Sequence, residues 1–227
     1  MGDWIHLDTA AGPVRAWLAR PDKPPRGAAS NGAVIVLQEI FGVNPHIRAV
    51  ADGFAEHGFV AMAPALFDPV QPQVELGYDD AGFTRGRELV AELGADRAIQ
   101  VIAAAARWLR EANHHPAVVG YCWGGSMAFL ANTRLRLPAV SYYGARTMPF
   151  IAEPAQAPLI FHFGGHDRST PPEDIARHRE LQPQAAVFVY EAAGHAFNRD
   201  VDPRHFHAES AALARQRTLA FLAEHSS

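Results

Sequence analysis

Short apolar runs alternate with amphipathic segments along most of the chain. The runs are rich in β-branched residues, and the run at 33–37 (AVIVL) is continuous. A continuous run of this kind is typical of a strand buried on both faces of a parallel sheet. The pattern predicts strands at 4–7, 14–19, 33–37, 59–63, 117–120, 138–142, 159–163 and 185–190.

The segments between these strands have helical spacing. Pro45 stands in the first turn of one of them and Gly58 just past its end, which is the usual asymmetry of helix termini. Regions 21–31 and 64–82 are irregular and rich in Pro or Gly, and they predict loops. The predicted helices cover 45–57, 95–112, 124–133, 172–181 and roughly 204–224. Strand followed by helix, repeated, predicts an α/β protein with a mostly parallel sheet and helices on both faces.

Length and composition narrow the function classes. The chain has 227 residues, 48% of them apolar, which fits one domain over 1–227. Its formal net charge of −4 does not predict a nucleic-acid surface. No apolar stretch reaches the length of a membrane span, and the N-terminus lacks the features of a secretory signal. The single cysteine excludes an internal disulfide, and we expect a cytoplasmic protein.

The segment GYCWGG at 120–125 lies between a predicted strand and a predicted helix. It matches the G-x-nucleophile-x-G turn, with Cys122 where serine is more usual. The neighbours must be small because the turn is sterically tight, and the helix that follows favours a thiolate at its N-terminus. A lone cysteine is more often a buried structural residue. Its position at a strand-to-helix turn favours the nucleophile.

Two further polar residues follow successive predicted strands. Asp167 follows the strand at 159–163, and His195 follows the strand at 185–190. Any one of the twelve histidines is weak evidence, and a turn aspartate is common. The order nucleophile, acid, histidine is that of the α/β-hydrolases, and it supports Cys122, Asp167 and His195 as one set.

A carboxylate follows the strand at 33–37, in the segment QEIFG at 38–42. In isolation Glu39 is more simply a solvated strand end. A carboxylate within reach of a cysteine can instead accept the thiol proton. The loop after this strand also supplies one oxyanion donor in α/β-hydrolases. We therefore expect the backbone N–H groups of Ile40 and Trp123 to form the oxyanion hole.

Together, the QEIFG segment, the GYCWGG turn, the acid in GHD and the histidine in GHAF resemble the dienelactone hydrolase family. The resemblance spans most of the chain and implies an α/β-hydrolase fold. It implies hydrolysis of small lactones or esters by a Cys-His-Asp triad, with Glu39 activating Cys122. It also implies that Arg199 binds a substrate carboxylate. Ala196 stands where the family often has a hydroxyl residue, which leaves the exact substrate open.

Aromatic residues near these motifs are expected to contact the substrate. They are Phe41, Phe67, Tyr143 and Phe197. The connection between 142 and 159 is too short for an inserted lid domain. We expect a small-molecule substrate, no metal or other cofactor, no nucleic-acid or membrane partner, and a monomer or weak homodimer.

Three alternative functions remain open. One is a broad carboxylesterase or thioesterase without lactone preference. Another is a non-catalytic binding protein with the same fold. A redox sensor built on Cys122 is the third, although the chain has no resolving cysteine.

Overall fold

A computed structural model describes residues 2–22 and 31–226. The strands are β1 (Asp3–Thr9), β2 (Gly12–Ala19), β3 (Gly32–Leu37), β4 (Val60–Pro64), β5 (His115–Tyr121), β6 (Ala139–Tyr142), β7 (Leu159–Gly164) and β8 (Ala186–Tyr190). The helices are α1 (Pro45–Glu56), α2 (Asp80–Glu111), α3 (Trp123–Leu135), α4 (Pro172–Leu181) and α5 (Ala208–His225).

The strands form one sheet in the order β1-β2-β4-β3-β5-β6-β7-β8. β2 pairs antiparallel with both β1 and β4, whereas β3 with β4, β6 with β7, and β7 with β8 are parallel. Every residue of β3, β6 and β7 is buried, as expected for strands covered on both faces. The predicted α/β class with a mostly parallel sheet is confirmed.

The chain divides into two compact units, and each is described by itself. The N-terminal unit comprises Met1–Val118 with Ser226–Ser227, and the C-terminal unit comprises Val119–His225. In the N-terminal unit, the side chain of Asn44 caps α1 by accepting the N–H of Ile47 at 3.2 Å. The single domain expected over 1–227 stays a prediction.

Helix α2 consists of two helical stretches that meet at a kink at Gly94. The stretch after Gly94 confirms the helix predicted over 95–112, whereas the stretch from Asp80 was not predicted and overlaps the end of the loop predicted over 64–82. Asp79 caps it by accepting the N–H of Gly82 at 2.7 Å. Gly94 has φ 73° and ψ 163°, which are not helical values, and this break separates the unpredicted stretch from the predicted one.

Helix α5 begins at Ala208, four residues after the predicted start at 204. The carbonyl of Asp202 accepts the N–H groups of His205 and Phe206, both at 3.0 Å, in a tight turn before the helix. Helical bonding fails at His207, whose N–H donates to the carbonyl of Phe197 at 3.0 Å rather than to that of Pro203, four residues before it. Residues 23–30 of the loop predicted at 21–31 lie outside the described residues.

The connection between β6 and β7 contains a short 3-10 helix, Met148–Phe150. Among the described residues, every helix is too short or too polar to cross a bilayer.

Candidate active site

Cys122 lies in the tight turn between β5 and α3. Its backbone has φ 55° and ψ −120°, a strained conformation for a residue with a side chain. Its N–H donates to the carbonyl of Tyr142 at 3.0 Å, and its carbonyl accepts the N–H of Gly125 at 2.9 Å. Trp123 is the first residue of α3, so its N–H lies at the positive end of the helix dipole. The turn presents the sulfur where negative charge is favoured.

Two glycines make this turn possible. A Cβ added to Gly120 would lie 1.9 Å from the carbonyl oxygen of Gly124, and one added to Gly125 would lie 2.7 Å from that of Tyr142. Both neighbours are backbone atoms, so a side chain could be accommodated only by moving the turn. The glycines in the GYCWGG segment therefore allow the close backbone packing that holds Cys122.

The structure joins Cys122, His195 and Asp167 by two hydrogen bonds. His195 Nε2 lies 3.2 Å from Cys122 Sγ, and His195 Nδ1 lies 2.7 Å from Asp167 Oδ2. The other carboxylate oxygen of Asp167 accepts the N–H of Ser169 at 2.8 Å. The Asp167 side chain is fully buried and that of His195 is 25% exposed. The carboxylate is thus held rigidly, and the imidazole keeps access to solvent.

The electrostatics of His195 reflect these contacts. Burial alone lowers the pKa of His195, because it disfavours the charged ring. The negative charge of a Cys122 thiolate and the hydrogen bonds to Asp167 and Cys122 outweigh burial and raise this pKa to about 10. The contacts therefore favour the protonated form of the His195 imidazole beside the Cys122 sulfur. Such a pair can deliver a nucleophile and then return a proton.

Aromatic side chains pack around His195. The ring of Tyr143 contacts it edge to face, with centroids 5.1 Å apart, and Phe197 contacts Tyr143 at 5.4 Å. Tyr143 has φ 41° and Ala196 has φ 60°, so strained backbone flanks the histidine as well as the cysteine. Tyr143 and Phe197 are both fully buried. Their contact with substrate stays a prediction.

Arg199 is buried and forms an ion pair with Asp202. Its Nη1 lies 3.3 Å from Asp202 Oδ2, and the two side chains are 6% and 4% exposed. Asp202 also accepts hydrogen bonds from Arg204 Nε at 2.8 Å and His205 Nδ1 at 2.9 Å. The hydrogen bond from Arg204 is the main reason that the pKa of Asp202 lies well below its usual range. The sequence analysis missed Asp202, although an acid three residues after Arg199 was the available signal.

The remaining predicted site residues lie in the N-terminal unit. Glu39 is the second residue after the end of β3 and is 1% exposed, so it is not the solvated strand end of the simpler interpretation. Ile40, Phe41 and Phe67 are also buried. Phe41 packs edge to face on Tyr78, with centroids 4.7 Å apart. Their predicted roles in catalysis and substrate contact stay predictions.

Comparison with known proteins gives the family of the chain. The sequence model of the dienelactone hydrolase family matches residues 14–226. The carboxymethylenebutenolidase of Pseudomonas putida is 32% identical over 207 residues, covering 84% of each chain. A candidate carboxymethylenebutenolidase of Yersinia pestis is 34% identical over 237 residues, covering 92% of this chain and 83% of that protein.

A solved structure extends the likeness to three dimensions. The crystal structure of a candidate dienelactone hydrolase from Klebsiella pneumoniae superposes with a TM-score of 0.85 at 27% identity, covering 99% of this chain and 98% of that one. The match of sequence and fold spans nearly the whole chain. This chain therefore belongs to the dienelactone hydrolase family of the α/β-hydrolase superfamily, and it is a carboxylic ester hydrolase.

Proposed function

We propose that the enzyme cleaves small enol lactones or activated esters with Cys122 as nucleophile, through a thioester acyl-enzyme. The observation that carries the proposal is the chain of hydrogen bonds from Cys122 through His195 to Asp167. A nucleophile, a base in contact with it and a third group that orients the base are the parts that nucleophilic catalysis requires.

In the acylation step, His195 Nε2 holds the proton of the thiol, and Cys122 Sγ attacks the substrate carbonyl carbon. A C–S bond forms, and the carbonyl oxygen becomes an oxyanion. The N–H of Trp123, at the start of α3, is the proposed donor to that oxygen within the C-terminal unit. Loss of one such donor typically costs about 3 kcal/mol of barrier. Asp167 keeps the imidazole in the orientation and tautomer that this step needs.

Collapse of the intermediate breaks the C–O bond of the ester or lactone. The departing enolate or phenolate takes the proton from His195 Nε2, and the acyl group stays on the sulfur as a thioester. His195 then accepts a proton from water, and the resulting hydroxide equivalent attacks the thioester. The thiolate of Cys122 leaves, and the acid product is released.

The sulfur nucleophile limits the range of substrates. A thiolate leaves a tetrahedral intermediate more readily than an ordinary alkoxide, so simple alkyl esters return to starting material. An enolate or phenolate leaves well enough to compete. We therefore expect slow turnover of unactivated esters and essentially none of peptides. Efficient peptide cleavage by the purified enzyme would contradict this reasoning.

The contacts of His195 also bear on the identity of the base. The family resemblance gives Glu39 the role of activating Cys122, whereas the 3.2 Å contact supports His195 as the group that holds the thiol proton at rest. Single-turnover kinetics of Glu39→Gln and His195→Gln distinguish the two. If His195 is the base, acylation slows much more in His195→Gln. The opposite result assigns the first proton transfer to Glu39.

The test uses p-nitrophenyl acetate and an acidic enol lactone with the wild type and Cys122→Ala. The wild type should turn over both, and Cys122→Ala should lose about 10³-fold or more in kcat. The single cysteine makes intact-mass detection of an acyl adduct unambiguous. His195→Gln should accumulate an acetyl adduct only if Glu39 is the base of acylation, because then its deacylation alone lacks a base. Full activity in Cys122→Ala, without an adduct in any variant, rejects the nucleophile.

A broader carboxylesterase or thioesterase is the second candidate, and the surroundings of Arg199 favour it. Asp202 shares its single negative charge among Arg199, Arg204 and His205, so it offsets part of the Arg199 charge and weakens selection for a substrate carboxylate. Arg199→Gln should lower kcat/KM for the acidic lactone alone if Arg199 binds that carboxylate. An equal effect on acidic and neutral esters supports the broader esterase. A cytoplasmic location and a monomer or weak homodimer stay predictions, and size-exclusion chromatography tests the latter.

A further inference from the structure

A chain of polar side chains crosses the core of the C-terminal unit. Arg217 Nη1 on α5 donates to Tyr190 Oη on β8 at 3.2 Å, and Tyr190 Oη lies 2.8 Å from Nδ1 of His162 on β7. His162 Nε2 lies 3.2 Å from Thr218 Oγ1 on α5, which lies 2.6 Å from Tyr142 Oη on β6. The side chains of His162, Thr218 and Tyr142 are almost completely buried. Polar groups this deep cost stability unless their partners are well placed.

The charge at one end of this chain sets the direction of its hydrogen bonds. Arg217 only donates, so it polarises the Tyr190 hydroxyl as a donor toward His162 Nδ1. A neutral imidazole with Nδ1 as acceptor carries its proton on Nε2, where Thr218 Oγ1 accepts it. Burial and the Arg217 charge lower the pKa of His162 to about 3, so the ring stays neutral at ordinary pH. His162 thus has one defined tautomer.

The same strand residues hold the loops of the candidate active site through their backbones. The carbonyl of Tyr142 accepts the N–H of Cys122 at 3.0 Å. The carbonyl of Tyr190 accepts the N–H of Gly165 at 2.8 Å and that of Ala193 at 3.0 Å. Gly165 lies two residues before the acid of the site, and Ala193 lies two residues before its histidine. Tyr142 and Tyr190 are therefore in backbone contact with all three loops.

A more direct connection runs through His162 itself. Its carbonyl accepts the N–H of Tyr143 at 2.8 Å, and the Tyr143 ring packs edge to face on His195. Tyr143 has a strained backbone with φ 41°, so it needs such a contact to stay in place. A shift of β7 at His162 is thereby passed to the imidazole that contacts the nucleophile.

We propose that His162 is a positioning residue for the hydrolytic reaction, and that its hydrogen bonds to Thr218 and Tyr190 hold the nucleophile, acid and histidine loops in register. His162 does not touch the reacting atoms. It acts by locking β6, β7 and β8 to α5 directly beneath these loops. This inference rests on the function proposed above.

Thr218→Val tests the proposal, because valine keeps the shape of threonine and replaces the hydroxyl that bonds His162 and Tyr142 with a methyl group. We expect kcat for p-nitrophenyl acetate to fall about tenfold with KM changed less than twofold. Thr218→Ser is the matched control, and it should keep kcat within about twofold of wild type. Tyr190→Phe breaks the other side of His162 and should give a similar loss, while the double variant should lose little more than either single one.

Two readouts do not depend on turnover. NMR should show His162 in wild type as the neutral Nε2–H tautomer, and the pKa of His195 should fall by at least one unit in Thr218→Val. If Thr218→Val has a lower melting temperature but an unchanged kcat and an unchanged His195 pKa, the network has only a structural role and the proposal is wrong. A loss in Thr218→Ser equal to that in Thr218→Val would also overturn the proposal. If Cys122→Ala keeps its activity, the proposed function fails, but the His195 pKa still tests the positioning.

Discussion

Replacement of Cys122 by serine should lower the pKa of His195 from about 10 to about 6–7. Serine keeps an oxygen within hydrogen-bond reach of His195 Nε2, but it stays neutral where the sulfur can ionise. The substitution therefore removes the negative charge that residue 122 can carry and changes little else. The direction follows from the causes of the raised pKa, in which the Cys122 charge is the largest contribution that opposes burial.

The magnitude follows from the distance between the two groups. At the observed 3.2 Å between Sγ and Nε2, and an effective dielectric constant of about 20, Coulomb's law gives about 5 kcal/mol. At about 1.4 kcal/mol per pKa unit, this is between three and four units. Burial of the ring persists in the serine variant and is opposed by Asp167 and by the hydrogen bond to the neutral serine hydroxyl. The pKa of His195 should therefore return close to the ordinary histidine value of about 6.5.

The assay is an NMR titration of the imidazole Cε1–Hε1 signals, with His195→Gln to assign the resonance among twelve histidines. His178 serves as an internal control, because its Nδ1 contacts the carbonyl of Asp174 on α4 rather than the cysteine. Its titration should be the same in wild type and Cys122→Ser. A His195 pKa that stays above about 9 in the serine variant would show that Asp167 alone holds the proton and would refute the ion-pair reasoning.

Three further predictions concern Asp167, Gly120 and His162. Asp167→Asn should lower kcat for p-nitrophenyl acetate by about 10³–10⁴-fold with little change in melting temperature, because the amide no longer stabilises the imidazolium or its tautomer; steady-state kinetics with near-normal kcat would contradict this. Gly120→Ala should destabilise the fold by about 3 kcal/mol or more in urea unfolding, because its Cβ would lie 1.9 Å from the backbone oxygen of Gly124; a stability equal to wild type would refute the close packing. His162 has a folded pKa of about 3, below the unfolded value of about 6.5, so its contribution to stability is fully present above pH 6.5 and is lost as pH falls toward 3. The free energy of unfolding should then fall by up to about 1.4 kcal/mol per pH unit in that window. In His162→Gln, the free energy of unfolding from urea titrations should depend less steeply on pH than in the wild type.

The elements of the fold were predictable wherever their signals are local. The apolar run at 33–37 becomes β3 (Gly32–Leu37), and the proline-led segment after it becomes α1 (Pro45–Glu56) with only small differences at the ends. The start of α2 was not predictable from periodicity. Gly94 breaks the helical pattern, and the helix before it depends on the cap at Asp79 and on tertiary packing.

The site was predictable only in part, since its residues combine local and non-local requirements. The GYCWGG turn can be recognised in the sequence because the glycines that its close backbone packing requires lie within six residues. Asp167 and His195 were identified as the partners of Cys122 from their order after successive strands. The ion pair of Arg199 with Asp202 was missed, because the loop conformation that brings the two side chains together has no periodic signal.

The sequence by itself determined the alternation of strands and helices, the tight turn that exposes Cys122, and the family to which the chain is similar. These properties follow from side-chain period and backbone sterics, which act over a few residues. Only the tertiary structure decided that His195 lies 3.2 Å from Cys122 and that Tyr142, His162 and Tyr190 link three strands to one helix. Those contacts depend on strand register, which pairs Tyr142 with His162 across β6 and β7. Register is set by the packing of the whole sheet, so distant residues become neighbours only when the chain has folded.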